Sequence, residues 1–535
     1  MELALKQCEA RGVDFAEAFR FQYIISPVPL SPPGMKAIRF AKQHVYSGAA
    51  LPVARLKDAD GIVFAVLFGI AVDKGGLLTF RRNIEDLRVS DPDFFISLAR
   101  YLEDVAGRYT LLVSVGDDCR VYCDAAGMNG VVYNKEKRCV AASLLLCLDD
   151  AIQDHPDYDH AQIEAGLAKY TLFDTRDSRV RRLNPNCSLS LTDFSETRYW
   201  PRDEAFERPA SELPAIYSEI IATAHHNITA IAARHACAMP ITGGRDSRLL
   251  AAFLKPDLGK VGQYYTHIVN YASRVDHAIA THVAKALGLK LESHDFRRVS
   301  GQSNATKAQQ LALYQTATGI TAPAPAEVMT GVIRNIKRNT VILRGHQTDL
   351  LRAVFLDRRG EGARKNLRWQ IRRLMPVSPP NMTNEIFLRF EPRYRAWCES
   401  LPPATRSKQV DLMFAEIYYS SSLGVVFPGL TRNFYLSPFN SRRLIALALA
   451  IDDEYRHQSK AVDDLVERMA PEVNRVPLDY EVSANLDLYD DPEMLKAWSK
   501  QRVKDSVARA AAIRGRAKPR ANPARPDQPA NRKPT

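Results

Sequence analysis

The sequence predicts an α/β protein in two folded parts. A β-rich region spans residues 1–205, a parallel-sheet α/β region spans 206–490, and a basic tail spans 491–535. Three observations carry this reading. Short apolar runs separated by Asp and Gly turns fill the first 205 residues. The stretch Ala238–Leu250 (A-M-P-I-T-G-G-R-D-S-R-L-L) reads as a strand, a glycine turn and a helix, and strand–helix patterning follows it. Thr340–Asp349 (T-V-I-L-R-G-H-Q-T-D) is a second strand entering a glycine turn, here ending in a carboxylate.

The totals bound the class. A chain of 535 residues with 46% hydrophobic and 25% charged residues has the composition of a soluble globular protein with ample length for real cores. The net charge of +12 is unevenly placed: residues 501–535 hold ten Lys or Arg against Asp505 and Asp527, so that segment carries +8. The basicity therefore belongs to a tail rather than to a nucleic-acid-binding face. The eight cysteines form no C-x-x-C pair and have no histidines at zinc-site spacing, so buried free thiols are expected. The opening residues lack a signal-peptide core, and the longest apolar run, 61–72, is too short to span a bilayer. A reduced, cytoplasmic protein without membrane association is the expectation.

In chain order, Gly61–Phe68 reads as a strand buried on both faces. Asp93–Ala106 has helical spacing through Phe94, Leu98 and Leu102. Residues 108–113, 120–123 and 130–133 read as short strands, and Ala141 onward opens a helix. Cys119 and Cys123 fall on one face of their strand. Ser211–Ala233 reads as a helix leading into the 238–250 motif. Gly262–Val269 is the next strand, Asp276–Gly288 an amphipathic helix, and helices follow over Leu444–Ile451 and Lys460–Met469. From 491 the composition turns polar, and Arg514–Thr535 is too rich in Pro, Ala, Arg, Asn and Lys to build a core.

The Thr242–Ser247 turn carries the chemistry. Two adjacent glycines allow positive φ and close approach of backbone to a ligand. The helix that follows offers free N–H groups and the positive end of its dipole to an anion such as phosphate. Thr242 and Ser247 add hydroxyls, and Asp246 is a carboxylate suited to the magnesium that accompanies phosphates. Asp349, at the end of the second glycine turn, supplies a second carboxylate. To share one Mg²⁺ shell with a phosphate, the two must lie within ~10 Å. Arg245 and Arg248 could meet phosphate or a substrate carboxylate bidentately.

The hexapeptide T-G-G-R-D-S resembles the Ser-Gly-Gly-x-Asp-Ser pyrophosphate loop of the ATP pyrophosphatases. The surrounding succession resembles the asparagine synthetases more fully. Gly107-Arg108-Tyr109, Asp117-Asp118, Asp124-Ala125-Ala126-Gly127, Tyr133 and Ala142-Ser143 run in the order of that family's glutaminase-like N-terminal domain. Gly345–Asp349 sits where the family has Gly-x-Gly-x-Asp-Glu, with Leu350 replacing the Glu. Ser437–Leu444 resembles its P-F-L-D-x-x-L segment, with Asn440 for the Asp. The resemblance covers roughly residues 55–480.

It implies an N-terminal glutaminase-like (Ntn-type) α+β sandwich followed by a parallel-sheet ATP pyrophosphatase domain. Glutamine-hydrolysing members place a catalytic cysteine directly after Met1; this chain has Glu2, and Cys8 is no substitute. The relatives it implies are thus those without a glutaminase, such as the β-lactam synthetases and lasso-peptide cyclases. The implied function is an ATP-dependent, amide-forming ligase using ammonia or a substrate amine, with a catalytically impaired nucleotide-binding or scaffold protein as the alternative. The implied cofactors are ATP and Mg²⁺. Thr242, Gly243, Gly244, Arg245, Asp246, Ser247 and Gly345 would cradle the nucleotide, with Thr266 and His267 along adenine. Asp246 and Asp349 would hold the metal. Arg344 and Arg475 are the candidate catalytic cations, Arg475 standing near where the family has a lysine that this chain lacks. Partners would be a small-molecule or peptide carboxylate and amine, with a second copy of the chain or a biosynthetic partner protein as further expectations.

Overall fold

The computed structural model describes residues 1–478 apart from 271–272, 300, 302, 321, 357–364, 424–425 and 428–429. The architecture is mixed α/β with three sheets. The expected tail over 491–535 lies outside the described residues.

Two sheets belong to the first 200 residues. The first is antiparallel, with spatial order Val180–Arg182, Val132–Asn134, Cys139–Ala141, Tyr23–Ser26, Gln43–Ser47, Lys36–Phe40. The second runs Glu196–Arg198, Cys187–Ser190, Asp118–Cys123, Ala106–Val115, Val63–Asp73, Val53–Asp58, Asn83–Ile84, with Gly76–Leu77 beside Val63–Asp73. It is mixed, because Val53–Asp58 pairs parallel with Asn83–Ile84. The long apolar run is buried on both faces as its composition demands. Val66, Phe68, Ile70 and Val72 meet Tyr23, Ile25 and Val45 of the first sheet. Leu67 and Ala71 meet Leu98 and Leu102 of the helix Phe94–Asp104.

The third sheet is parallel throughout, with order Leu291–Asp295, Gln263–Ile268, Cys237–Pro240, Val341–Leu343, Phe434–Leu436. From its central strand the chain steps outward twice through the helices Arg245–Phe253 and Ser273–Ala286. It then returns to the other side at Val341. The strand order therefore reverses between Cys237–Pro240 and Val341–Leu343, where open α/β sheets hold their ligands. The reading of Ala141 onward as a helix reduces to the single 3-10 turn Leu144–Cys147.

Buried polar groups tie the elements around the third sheet to the second. Arg442, without exposed surface, donates to Asn186 Oδ1 (2.8 Å), Pro185 O (2.8 Å) and Cys123 O (3.0 Å). Asn440 Nδ2 donates to Gly107 O (2.7 Å) and Asp124 Oδ1 (2.8 Å). Glu416, also fully buried, accepts from Arg198 (2.7 and 3.0 Å), Trp397 Nε1 (2.8 Å), Asn186 (3.0 Å) and Asn184 (3.1 Å). All eight cysteines are free, and all but Cys398 are buried. Among the described residues no helix is long and apolar enough to cross a membrane.

Candidate functional site

The two glycine turns meet at the C-terminal edge of the parallel sheet, on adjacent strands. Gly345 is the contact. A Cβ there would stand 2.7 Å from the carbonyl oxygen of Asp246 and 2.8 Å from its carbonyl carbon, so a side chain has no room. Gly244 serves a different need: at φ −80° it caps the helix Arg245–Phe253 in an extended conformation. Neither Gly243 nor Gly244 adopts positive φ, contrary to the expectation from their adjacency.

The turn closes on itself. Thr242 Oγ1 and Ser247 Oγ lie 2.9 Å apart, and Thr242 N donates to Ser247 Oγ (3.0 Å). Gly243 N donates to a carboxylate oxygen of Asp276, from the helix Ser273–Ala286. An internal anion thus faces one of the backbone donors expected to meet phosphate.

Asp246 and Asp349 are brought together. Arg352 Nη2 donates to Asp246 Oδ1 (2.9 Å), to Asp246 Oδ2 (2.8 Å) and to Asp349 Oδ1. Two oxygens sharing one donor nitrogen lie within about 6 Å, twice a hydrogen-bond length, inside the limit for a common cation. Thr348 Oγ1 also donates to Asp246 Oδ1 (2.9 Å), and Tyr419 OH donates to Asp349 Oδ2 (2.8 Å). Burial and then the neighbouring Asp246 charge push the Asp349 carboxyl up to about 6, against the opposing pull of Arg352 and Tyr419. Among the described residues no three His, Cys, Asp or Glu converge as a ready metal cage. The donor set is two carboxylates, which fits a magnesium ion that takes its other ligands from water and phosphate.

Several expected contacts are corrected. Arg248 is 4% exposed and structural: it donates to Gly243 O (2.9 Å), Val476 O (2.7 Å) and Pro477 O, stitching the following chain to the turn. Arg245 Nε turns to Asp463 (3.2 Å) on the helix Lys460–Met469. Arg475 is exposed at the end of the short helix Pro471–Asn474, beside Glu472 rather than in the turn. Leu350 is fully buried in the core, which is why no Glu stands there.

Thr266 and His267 lie on one strand but project from opposite faces, so their side chains do not flank one ligand together. Thr266 is 1% exposed, and its Oγ1 is buried without a hydrogen-bond partner. The His267 ring packs 4.8 Å from Tyr265 and 5.3 Å from His294, its register partner. Burial, then His294 and Arg344, hold His267 neutral, down to about 3. Arg344 stands at the strand end beside Tyr265, His267 and His346.

Arg352, Asp276, Thr348 and Tyr419 were not foreseen. Arg352 had a signal, since a cation three residues after Asp349 shares its face of a helical turn. Tyr419 had none, being 70 residues away. Compared with models of known protein families and with curated proteins, the chain gives no match.

Proposed function

We propose that the chain is an ATP-dependent ligase of asparagine synthetase type. It would adenylate a carboxylate, release AMP and pyrophosphate, and form an amide with ammonia or a substrate amine. The observation that carries this is the pairing of Asp246 and Asp349 through one Arg352 nitrogen, at the strand-order reversal of a parallel sheet. On this reading the first two sheets form the glutaminase-like sandwich. At the start of that sandwich Glu2 is exposed, and Cys8 is a buried helical thiol pushed up to about 11 by burial and then by Asp14.

The N–H groups at the start of Arg245–Phe253 would bind phosphate oxygens in place of Asp276. Asp246 and Asp349 would hold Mg²⁺, which supplies charge neutralisation for the departing pyrophosphate. Arg352 and Arg344 would bring fixed positive charge to the same strand ends, the role expected of Arg344 and Arg475. Water exclusion falls to the buried Tyr419 and Leu350 behind the turn.

A second reading, a nucleotide-binding protein without turnover, is favoured by buried Leu350 and by Arg475 facing solvent. Calorimetry with Mg·ATP on the full chain tests the site, with Asp246→Ala as control. Micromolar binding lost in the variant supports a working nucleotide site, and no binding at millimolar ATP overturns it. Pyrophosphate release in a screen of carboxylates with ammonia then separates ligase from silent binder.

A further inference from the structure

A second cavity lies where the edge of the first sheet meets the end of the helix Asn304–Thr318 and the residues Ser421, Ser422 and Val426. Its volume is about 350 Å³, within the range of small-molecule sites. Leu144, Ile163, Ile320 and Val426 give it apolar walls, and no acidic residue lines it among the described residues. Three cations do. Arg176 is neutralised by Asp154 (2.7 Å) and Glu164 (3.2 Å).

The other two have no counter-charge among the described residues. Arg182 ends the edge strand Val180–Arg182; its Nε is buried without a hydrogen-bond partner, and its terminal nitrogens bond to no described group. Lys169 Nζ rests on neutral groups, Ser422 Oγ (3.0 Å) and Tyr418 OH (3.3 Å), over the Tyr418 ring. Arg182 is half-buried, and withdrawing a guanidinium from water without an anion is costly. Burial holds Arg182 below its usual range, to about 10. Two cations without an acidic partner among the described residues, lining one largely apolar chamber, answer to a ligand with the opposite pattern.

We infer that this cavity is a binding site for an amphipathic anion, a carboxylate on an aliphatic or aromatic body, with Arg182 and Lys169 holding the carboxylate. The helical turn Tyr419–Ser422 connects it to the nucleotide-site candidates, since Tyr419 bonds Asp349 and Ser422 lines the cavity.

The test uses the full chain without nucleotide, so that its failure leaves the ligase reading untouched. Octanoate, 4-phenylbutyrate and 1-octanol are titrated by calorimetry. One of the two carboxylates is expected to bind at least ten times more tightly than the alcohol. Arg182→Met should weaken that carboxylate at least tenfold and leave the alcohol unchanged, with Arg182→Lys recovering part of the loss. Lys169→Met repeats the test should Arg182→Met fail to fold. Equal binding of alcohol and carboxylates overturns the proposal. So does binding that neither charge removal alters, or no binding of either carboxylate at millimolar concentration.

Discussion

Replacing Gly345 with Ala should separate two glycines that look alike in the sequence. The new Cβ would sit 2.7, 2.8 and 3.0 Å from the O, C and Cβ atoms of Asp246, whereas ordinary contact begins near 3.4 Å. Two of the three are backbone atoms, so the turns themselves must part by about 0.4–0.7 Å, at an overpacking cost of about 1–3 kcal/mol. The displaced residue carries the carboxylate that Arg352 clamps. Gly244→Ala is the control. Its Cβ would meet Thr242 Oγ1 at 3.6 Å, in ordinary contact, and its φ of −80° suits alanine. There a poorer cap costs up to about 1 kcal/mol, and the stiffer unfolded chain returns about 0.4–1 kcal/mol. Urea unfolding followed by tryptophan fluorescence should show Gly345→Ala clearly destabilised and Gly244→Ala within about 0.5 kcal/mol of the parent. Mg·ATP calorimetry should show at least a tenfold loss for Gly345→Ala. Equal unfolding midpoints for the two variants would refute the claim that the turns are in contact through Gly345.

Further outcomes follow from buried charge. Burial pushes the Glu416 carboxyl up, but Arg198 and the hydrogen bonds from Trp397 and Asn186 outweigh it and leave it below the ordinary value. A carboxyl depressed in the folded state contributes stability that is fully present above its unfolded value and is lost as pH falls through the folded one. The parent should therefore lose stability on acidification below about pH 4.5, and Glu416→Gln should lack that component when unfolding midpoints are compared across pH. Glu416→Ala strands Arg198 and should cost about 3–5 kcal/mol at neutral pH. Arg352→Met removes the cation shared by Asp246 and Asp349, so Mg²⁺ titrated at pH 8 should bind at least tenfold more tightly to the variant; unchanged affinity would show that guanidinium and metal do not compete.

Much of the fold was legible because it is written in local pattern. The eleven-residue strand Val63–Asp73 announces itself as an apolar run buried on both faces, and Phe94, Leu98 and Leu102 repeat every fourth residue down one helix stripe. Less legible were the edge strand Lys36–Phe40, whose mixed polarity reflects its mostly exposed residues, and its neighbour Gln43–Ser47, half-buried at its start. The site divided the same way. T-G-G-R-D-S and Gly345–Asp349 were visible as strand-to-turn motifs. The assignment of Arg248 and Arg475 failed because charge near a helix end says nothing about which carbonyl or solvent the side chain reaches.

The sequence by itself determined where the strands end in glycine turns, which carboxylates stand there, and that the residue after Met1 is not a thiol. Only the tertiary structure decided that Asp246 and Asp349 answer to one arginine, that Asp276 faces the turn, and that Arg182 lines a cavity without an acidic partner among the described residues. The physical reason is sequence distance. Turn chemistry and periodicity act over a few residues, whereas Asp246 and Arg352 are 106 apart and Arg198 and Glu416 are 218 apart. Those pairs exist only because the parallel sheet and the two sheets that precede it pack around a shared, desolvated interior.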